Sequence, residues 1–74
     1  MNVKELEVAL KRANVPERAY SIMKSRLPNE QMCLIKEDQW YVYYSERGDR
    51  TGLRSFQKEE DACQYFYDIL KSFV

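Results

Sequence analysis

Few side chains in this sequence could carry out catalysis. An enzyme needs a nucleophile, an acid or base, and a pocket that excludes water. Histidine is absent, and the acidic residues occur in hydrated runs such as KEED and KED. Cys33 lies in the apolar run MCLIK, which favours burial over reactivity. Glu46 beside Arg47 is more typical of a charged strand end than of a catalytic pair. The sequence therefore predicts a protein that is not an enzyme and has no catalytic residues.

The sequence also contains no motif that is typical of a metal-binding or phosphate-binding site. Protein metal sites usually need three or four ligands, often cysteine or histidine, at short spacing. The two cysteines, Cys33 and Cys63, are far apart in the chain. Gly48 and Gly52 are typical of turns, and they do not form a glycine-rich phosphate loop. We therefore expect no metal site and no cofactor.

The length of 74 residues predicts a single domain over residues 1–74 with a thin core. A domain of this size has little room for a closed active site, which favours binding over catalysis. The N-terminal sequence MNVKELEVAL has neither an apolar run nor a cleavage-site pattern, and no stretch approaches the length of a membrane span. These features predict a cytoplasmic protein with no membrane partner, whose cysteines are free and buried.

Charge is balanced overall but unevenly distributed. The chain has 12 basic and 12 acidic residues. Residues 1–28 hold six basic and three acidic residues, whereas residues 29–74 hold six basic and nine acidic residues. Proteins that bind nucleic acid usually have a basic excess, so we expect no nucleic-acid partner even though tyrosines can stack on bases. The acidic, aromatic second half favours a protein partner with a basic surface.

Apolar periodicity predicts a helix near each end of the chain. The first has an apolar stripe at spacings of three and four residues, formed by Val3, Leu6, Leu10 and Ala13. Asn2 and Glu5 have the spacing of a capping box, and Asn14 with Pro16 predicts its end. The second helix is predicted over residues 58–72, with acidic residues in its first turn, where they suit the helix dipole. Its stripe is Ala62, Phe66, Ile69, Leu70 and Phe73.

Three or four strands are predicted between the helices. The segments are AYSIMKS (19–25), MCLIK (32–36), WYVYYSE (40–46) and LRSF (53–56), separated by LPNE, EDQ and the loop RGDRTG (47–52). Short connections favour antiparallel neighbours, and two amphipathic helices need one apolar sheet face. We therefore predict a two-layer α+β fold, an antiparallel three- to four-stranded meander with the N- and C-terminal helices packed on one face. The other face is expected to be at least partly open to solvent.

The strand WYVYYSE is aromatic on both of its faces. Alternation places Trp40, Val42 and Tyr44 on one face and Tyr41 and Tyr43 on the other. We expect the first set to pack against the helices, with Trp40 largely buried. The two outward tyrosines have two interpretations: they pack on cross-strand neighbours and stabilise the sheet, or they form a surface that binds a partner.

Three segments taken together show a more specific pattern. They are AYSI (19–22), LPNEQMCLIKEDQWYVYYSERGDRTGLRSF (27–56) and EEDACQYFYDIL (59–70). This pattern resembles a family of small immunity proteins from bacterial polymorphic toxin and contact-dependent inhibition systems. W.VYYSERG and AC.YF are specific in combination, and the resemblance covers most of the chain after Ala19. Gln57 stands where the family has an aspartate, which weakens the expected cap of the last helix.

The resemblance implies a non-enzymatic antitoxin that stays in the cytoplasm and binds one cognate toxin domain. Many such toxins are nucleases with basic clefts, which an acidic binder would complement. In this interpretation the tyrosines are anchors, and the charges set register and association rate. The expected partner-binding residues are Tyr41, Tyr43, Glu46, Arg47, Asp49 and Arg50, and the second candidate surface is Glu59, Glu60 and Asp61. The alternative is a small cytosolic interaction or regulatory domain, homodimeric through the open sheet face.

Overall fold

The computed structural model describes residues 1–24 and 30–72. In chain order the elements are α1 (Val3–Arg12), a short 3-10 helix (Glu17–Ala19), β1 (Tyr20–Ile22), β2 (Gln31–Lys36), β3 (Trp40–Glu46), β4 (Asp49–Phe56) and α2 (Glu59–Lys71). The strands form one sheet in the order β1-β2-β3-β4, so the predicted α+β class is confirmed. Most of the predicted LPNE turn, and Phe73 of the predicted apolar stripe, lie outside the described residues.

The sheet is mixed, which corrects the predicted antiparallel meander. The pairs β2–β3 and β3–β4 are antiparallel, as expected. The pair β1–β2 is parallel, with Tyr20 opposite Met32 and Ile22 opposite Leu34. β1 ends early because Met23 has a φ of 58° and leaves the extended conformation. Direction was predicted from short connections alone, and a three-residue strand carries no pattern that distinguishes parallel from antiparallel pairing.

The first helix begins and ends as the sequence predicts. The Asn2 side chain accepts a hydrogen bond from the Glu5 backbone N–H, and the Glu5 carboxylate accepts one from the Asn2 N–H. These reciprocal bonds satisfy donors that a helix start leaves free. After the helix, Asn14 takes a left-handed φ of 61°. A further bond ties the two helix starts together, because Glu59 Oε2 accepts from Val3 N at 2.9 Å.

One hydrophobic core lies between the two helices and one face of the sheet. Leu6 and Leu10 from α1 and Phe66 from α2 are fully buried there against Leu34 and Val42. The remaining buried members are Val15, Ile22, Met32, Ala62, Cys63 and Leu70. The strand residues alternate along β2 and β3, so both helices contribute to a core on a single sheet face.

Trp40 packs against this core but is only partly buried, which corrects the expectation of a largely buried tryptophan. It is the first residue of β3 and pairs with Lys36 and Phe56 at the end of the sheet. The Lys36 ammonium lies 5.9 Å from the centre of a Trp40 ring, so one side of the indole faces a solvated cation. Tyr43 and Phe66 are instead the largest fully buried side chains.

The β3–β4 connection is a tight hairpin turn, not the six-residue loop RGDRTG that the sequence predicts. Arg47 and Gly48 have φ values of 51° and 83°, the pattern of a two-residue turn whose twist matches the flanking strands. β4 therefore begins at Asp49. The register shifts between Val42 and Tyr44, and Gly52 has a φ of 65° at that point. This is a β-bulge of the type that needs a left-handed glycine.

Candidate functional site

The sheet face opposite the helices carries three of the predicted binding residues. Strand register pairs Cys33 with Tyr43, Ile35 with Tyr41, and Ser45 with Arg50. We call these six residues the outer face. The core residues alternate with them along β2 and β3, so the outer face lies on the far side of the sheet from both helices. The structure thus brings Tyr41, Tyr43 and Arg50 onto one surface.

Tyr43 is buried, which favours the first of its two interpretations, packing within the sheet, over an exposed surface that binds a partner. Only 2 % of Tyr43 is exposed, although it does not belong to the core between sheet and helices. The Arg50 guanidinium lies 4.8 Å from the centre of the Tyr43 ring and covers it. Arg50 also pairs with Glu37, with 3.6 Å between Nη1 and Oε1. Alternation identifies the face on which a side chain lies, but it does not reveal what covers that side chain.

Tyr41 is half-buried and held by a neighbouring carboxylate. Its hydroxyl donates to Asp38 Oδ1 at 2.7 Å. This hydrogen bond lowers the pKa of Asp38 from its ordinary value and raises the pKa of Tyr41. The two shifts have the same cause, because the bond favours the ionised carboxylate together with the protonated phenol. The bond holds the Tyr41 hydroxyl beside the turn that precedes β3.

The hairpin turn presents the other three predicted residues. Glu46, Arg47 and Asp49 are all exposed, and Glu46 pairs with Asp49 across the two strands. Arg47 occupies a left-handed position where asparagine or glycine would cost less. The turn conformation therefore does not account for an arginine at this position. Its side chain is exposed at the end of the outer face.

A shallow recess of about 230 Å³ adds residues that the sequence did not single out. It is lined by Met23, Lys24, Ile35, Lys36, Glu37, Tyr43 and Arg50. Met23 is 49 % exposed, as is Leu53 in β4, so apolar groups face solvent near the charged ones. The sequence predicts the EDQ turn only as a connection, yet its Glu37 pairs with Arg50 and its Asp38 accepts a hydrogen bond from Tyr41. The position of Glu37 and Asp38 directly before β3 is the sequence feature that could have indicated these contacts.

Both cysteines are free and buried, as expected, and they lie on opposite sides of the sheet. Burial raises the pKa of Cys33, although a hydrogen bond with Tyr43 partly offsets it. Burial, with Glu59 nearby, raises the pKa of Cys63 to about 11. The thiolate is the reactive form, so neither thiol is activated.

We predict that neither cysteine of the folded protein reacts readily with an aromatic disulfide reagent at about pH 8, since for Cys63 only about one thiol in a thousand is ionised there. In denaturant both should react fully within minutes. Absorbance of the released thiolate, with the labelled residues identified by mass spectrometry, measures this. Fast stoichiometric labelling of either cysteine in buffer would contradict the assigned burial.

Two further properties of the described residues concern metal-binding groups and membrane-spanning helices. In residues 1–24 and 30–72, no group of three or more cysteine, histidine or acidic side chains is placed to hold a metal ion. Over the same ranges, no helix combines the length and apolar character needed to cross a membrane. The outer face and hairpin turn instead combine ordered aromatic rings with charges of both signs. In comparisons with known proteins, no family model, no curated protein and no solved structure matched this chain.

Proposed function

We propose that this chain is a non-enzymatic immunity protein that binds and neutralises a cognate bacterial toxin domain, with a nuclease as the favoured toxin class. The resemblance of W.VYYSERG and AC.YF to small immunity proteins motivates this proposal. The toxin contacts the outer face and the hairpin turn. Tyr41 and Arg50 supply ordered contact area, and Glu46, Arg47 and Asp49 supply charge at the end of the sheet.

The observation that carries the proposal is the order of this surface before binding. Arg50 is stacked on Tyr43 and paired with Glu37, and Tyr41 is bonded to Asp38. Side chains that are already fixed lose little conformational entropy on association. Tyrosine and arginine are also the residue types that most often dominate the free energy of binding at protein interfaces. A partner surface with both basic and acidic groups would complement the turn.

A small interaction or regulatory domain that pairs with a second copy through the outer face is the other candidate. Half-exposed Met23 and Leu53 favour it, because apolar groups close to a binding surface are common in homodimers. The two candidates differ in oligomeric state and in genetic context. A monomeric protein encoded beside a long toxin-bearing reading frame supports immunity, whereas a dimer with no such neighbour supports the alternative.

We predict that Tyr41→Ala and Glu46→Lys each weaken binding of the neighbouring toxin by roughly 30-fold, about 2 kcal/mol, since a central anchor commonly contributes that much. Glu46 is exposed, so its substitution should change the free energy of unfolding by only about 0.5 kcal/mol. Tyr41→Ala also removes a half-buried ring and its hydrogen bond to Asp38, so it should lower the free energy of unfolding by about 1 kcal/mol. Calorimetric titration of the toxin beside thermal unfolding of the same proteins separates the two effects. The Glu46→Lys variant should also associate more slowly, most clearly at low salt.

Glu7→Lys is the matched control for charge reversal. Glu7 is exposed on α1, in the helix layer. The Glu7→Lys protein should bind the toxin normally, and it should protect cells that produce the toxin. If Tyr41→Ala and Glu46→Lys bind toxin as tightly as the wild type, the outer face is not the interface. If the neighbouring reading frame encodes no protein that the chain binds, the immunity proposal itself fails.

A further inference from the structure

A groove runs along the outer side of the helix layer, on the opposite side of the molecule from the outer face. It has a volume of about 640 Å³ and lies between α1 and α2. Its floor is mainly apolar, formed by Val8, Ala9, Ala13 and Tyr67. We call it the helix groove. Val8 is 50 % exposed, one of the three most exposed large apolar side chains described.

The rim of the helix groove is positively charged. Lys4, Arg12 and Lys71 line it, together with one carboxylate, that of Glu5. Glu5 is already engaged, because its carboxylate accepts the Asn2 N–H in the capping box at 2.9 Å. Within residues 1–24 and 30–72, none of the three cations has a carboxylate within 4.0 Å, since the one ion pair found there joins Arg50 to Glu37. The groove therefore keeps its positive charge although the whole chain is neutral.

The shape of the groove suits a helix. Its lining follows α1 from Lys4 to Ala13, which corresponds to about 13 Å or two and a half turns. Ala9 and Ala13 are small and let the backbone of another helix approach closely, while Val8 provides a ridge. No strand edge lies in this groove, so an extended peptide would find no backbone groups to pair with. A polyanion such as nucleic acid would leave the apolar floor unused.

We infer that the helix groove binds an acidic amphipathic helix of a protein partner. The apolar stripe of that helix lies on Val8, Ala9 and Tyr67, and its acidic flanks meet Lys4, Arg12 and Lys71. The Lys71 ammonium, now 5.6 Å from the centre of the Tyr67 ring, is placed to reach such a carboxylate. This surface is separate from the one proposed for toxin binding and does not depend on that proposal.

The test uses two peptides of about 15 residues, long enough for a marginal helix that binding can stabilise. Both have leucines spaced one helical turn apart; one has glutamates at the flanking positions and the other has lysines. Isotope-labelled protein is titrated with each, and backbone amide shifts locate the contact. The acidic peptide should shift amides of α1 and of α2 near Tyr67. Its affinity should fall about tenfold between low and high salt, and the basic peptide should bind at least about tenfold more weakly.

Val8→Glu and Leu53→Glu are the paired variants, because the wild-type residues are almost equally exposed, at 50 % and 49 %, on different surfaces. Val8→Glu should lower the affinity for the acidic peptide about tenfold or more, whereas Leu53→Glu should leave that affinity unchanged. Circular dichroism checks that both remain folded. The inference is overturned by equal binding of the two peptides, by shifts confined to the sheet, by no binding at millimolar peptide, or by self-association through the groove in light scattering.

Discussion

Replacing Tyr43 by alanine is expected to lower the free energy of unfolding by about 3–5 kcal/mol, the usual loss for a buried aromatic ring. Tyr43 is 2 % exposed and lies beneath the Arg50 guanidinium. A domain of this size has a total stability of only about 5 kcal/mol, comparable to the loss, so much of the variant should be unfolded at room temperature. Thermal or urea unfolding followed by circular dichroism measures the loss. A melting temperature within a few degrees of the wild type would show that the ring is not packed.

Tyr43→Phe is the matched control for this change. It keeps the ring beneath Arg50 and removes only the hydroxyl, which lies near the Cys33 thiol. The free energy of unfolding should fall by about 1 kcal/mol or less. If the phenylalanine variant is as unstable as the alanine variant, the hydroxyl and not the ring holds the outer face together. The pair also matters for function, because lost toxin binding by Tyr43→Ala would report unfolding and not a lost contact.

Replacing Phe66 by alanine is expected to have a similarly large effect on the opposite side of the sheet, again about 3–5 kcal/mol. Phe66 is fully buried at the centre of the core. Its ring meets Tyr20 edge to face, with 6.4 Å between centroids and 88° between planes. This contact joins α2 to the short edge strand β1. The variant should leave a cavity in the core and lose the packing of that strand against α2.

Trp40→Ala provides the comparison for Phe66→Ala. Tryptophan is the larger side chain, so if size alone decided the effect, Trp40→Ala would lower the free energy of unfolding more than Phe66→Ala. Trp40 is only partly buried at the end of the sheet, and we therefore expect a smaller loss of stability than for Phe66→Ala. Urea unfolding of both variants under identical conditions gives the order. A greater loss for Trp40→Ala would place the centre of the core at the tryptophan.

The elements that were predicted correctly have strong local patterns. WYVYYSE forms β3 with the predicted bounds, because aromatic and β-branched residues fit a pleated surface and little else. The Asn2–Glu5 capping box formed because its donors and acceptors are close in sequence. The hairpin turn was not predicted because its local pattern is weak. Arg47 is not a residue type that indicates a left-handed turn, so RGDRTG predicts a longer loop.

The candidate site was only partly predictable, because its residues meet through tertiary contacts. Sequence alternation placed Tyr41 and Tyr43 on one face correctly, but it contained no information on Arg50 crossing the Tyr43 ring. The pairing of Arg50 with Glu37 joins β4 to the β2–β3 turn, which no sequence spacing indicates. The helix groove was not predicted either, because apolar periodicity identifies the buried stripe of α1 and Val8 lies on the exposed side of that helix.

The bulge at Gly52 has a consequence for how copies of this protein behave at high concentration. β4 is an edge strand of eight residues, exposed along nearly its whole length, and such edges tend to pair with one another and aggregate. A chain with equal numbers of acidic and basic residues has no net charge to keep its copies apart. Protection from sheet-to-sheet growth therefore falls on local features of the strand. The left-handed glycine twists the edge out of line, and the charged Arg54 two residues further on disfavours pairing with a second copy of the same strand.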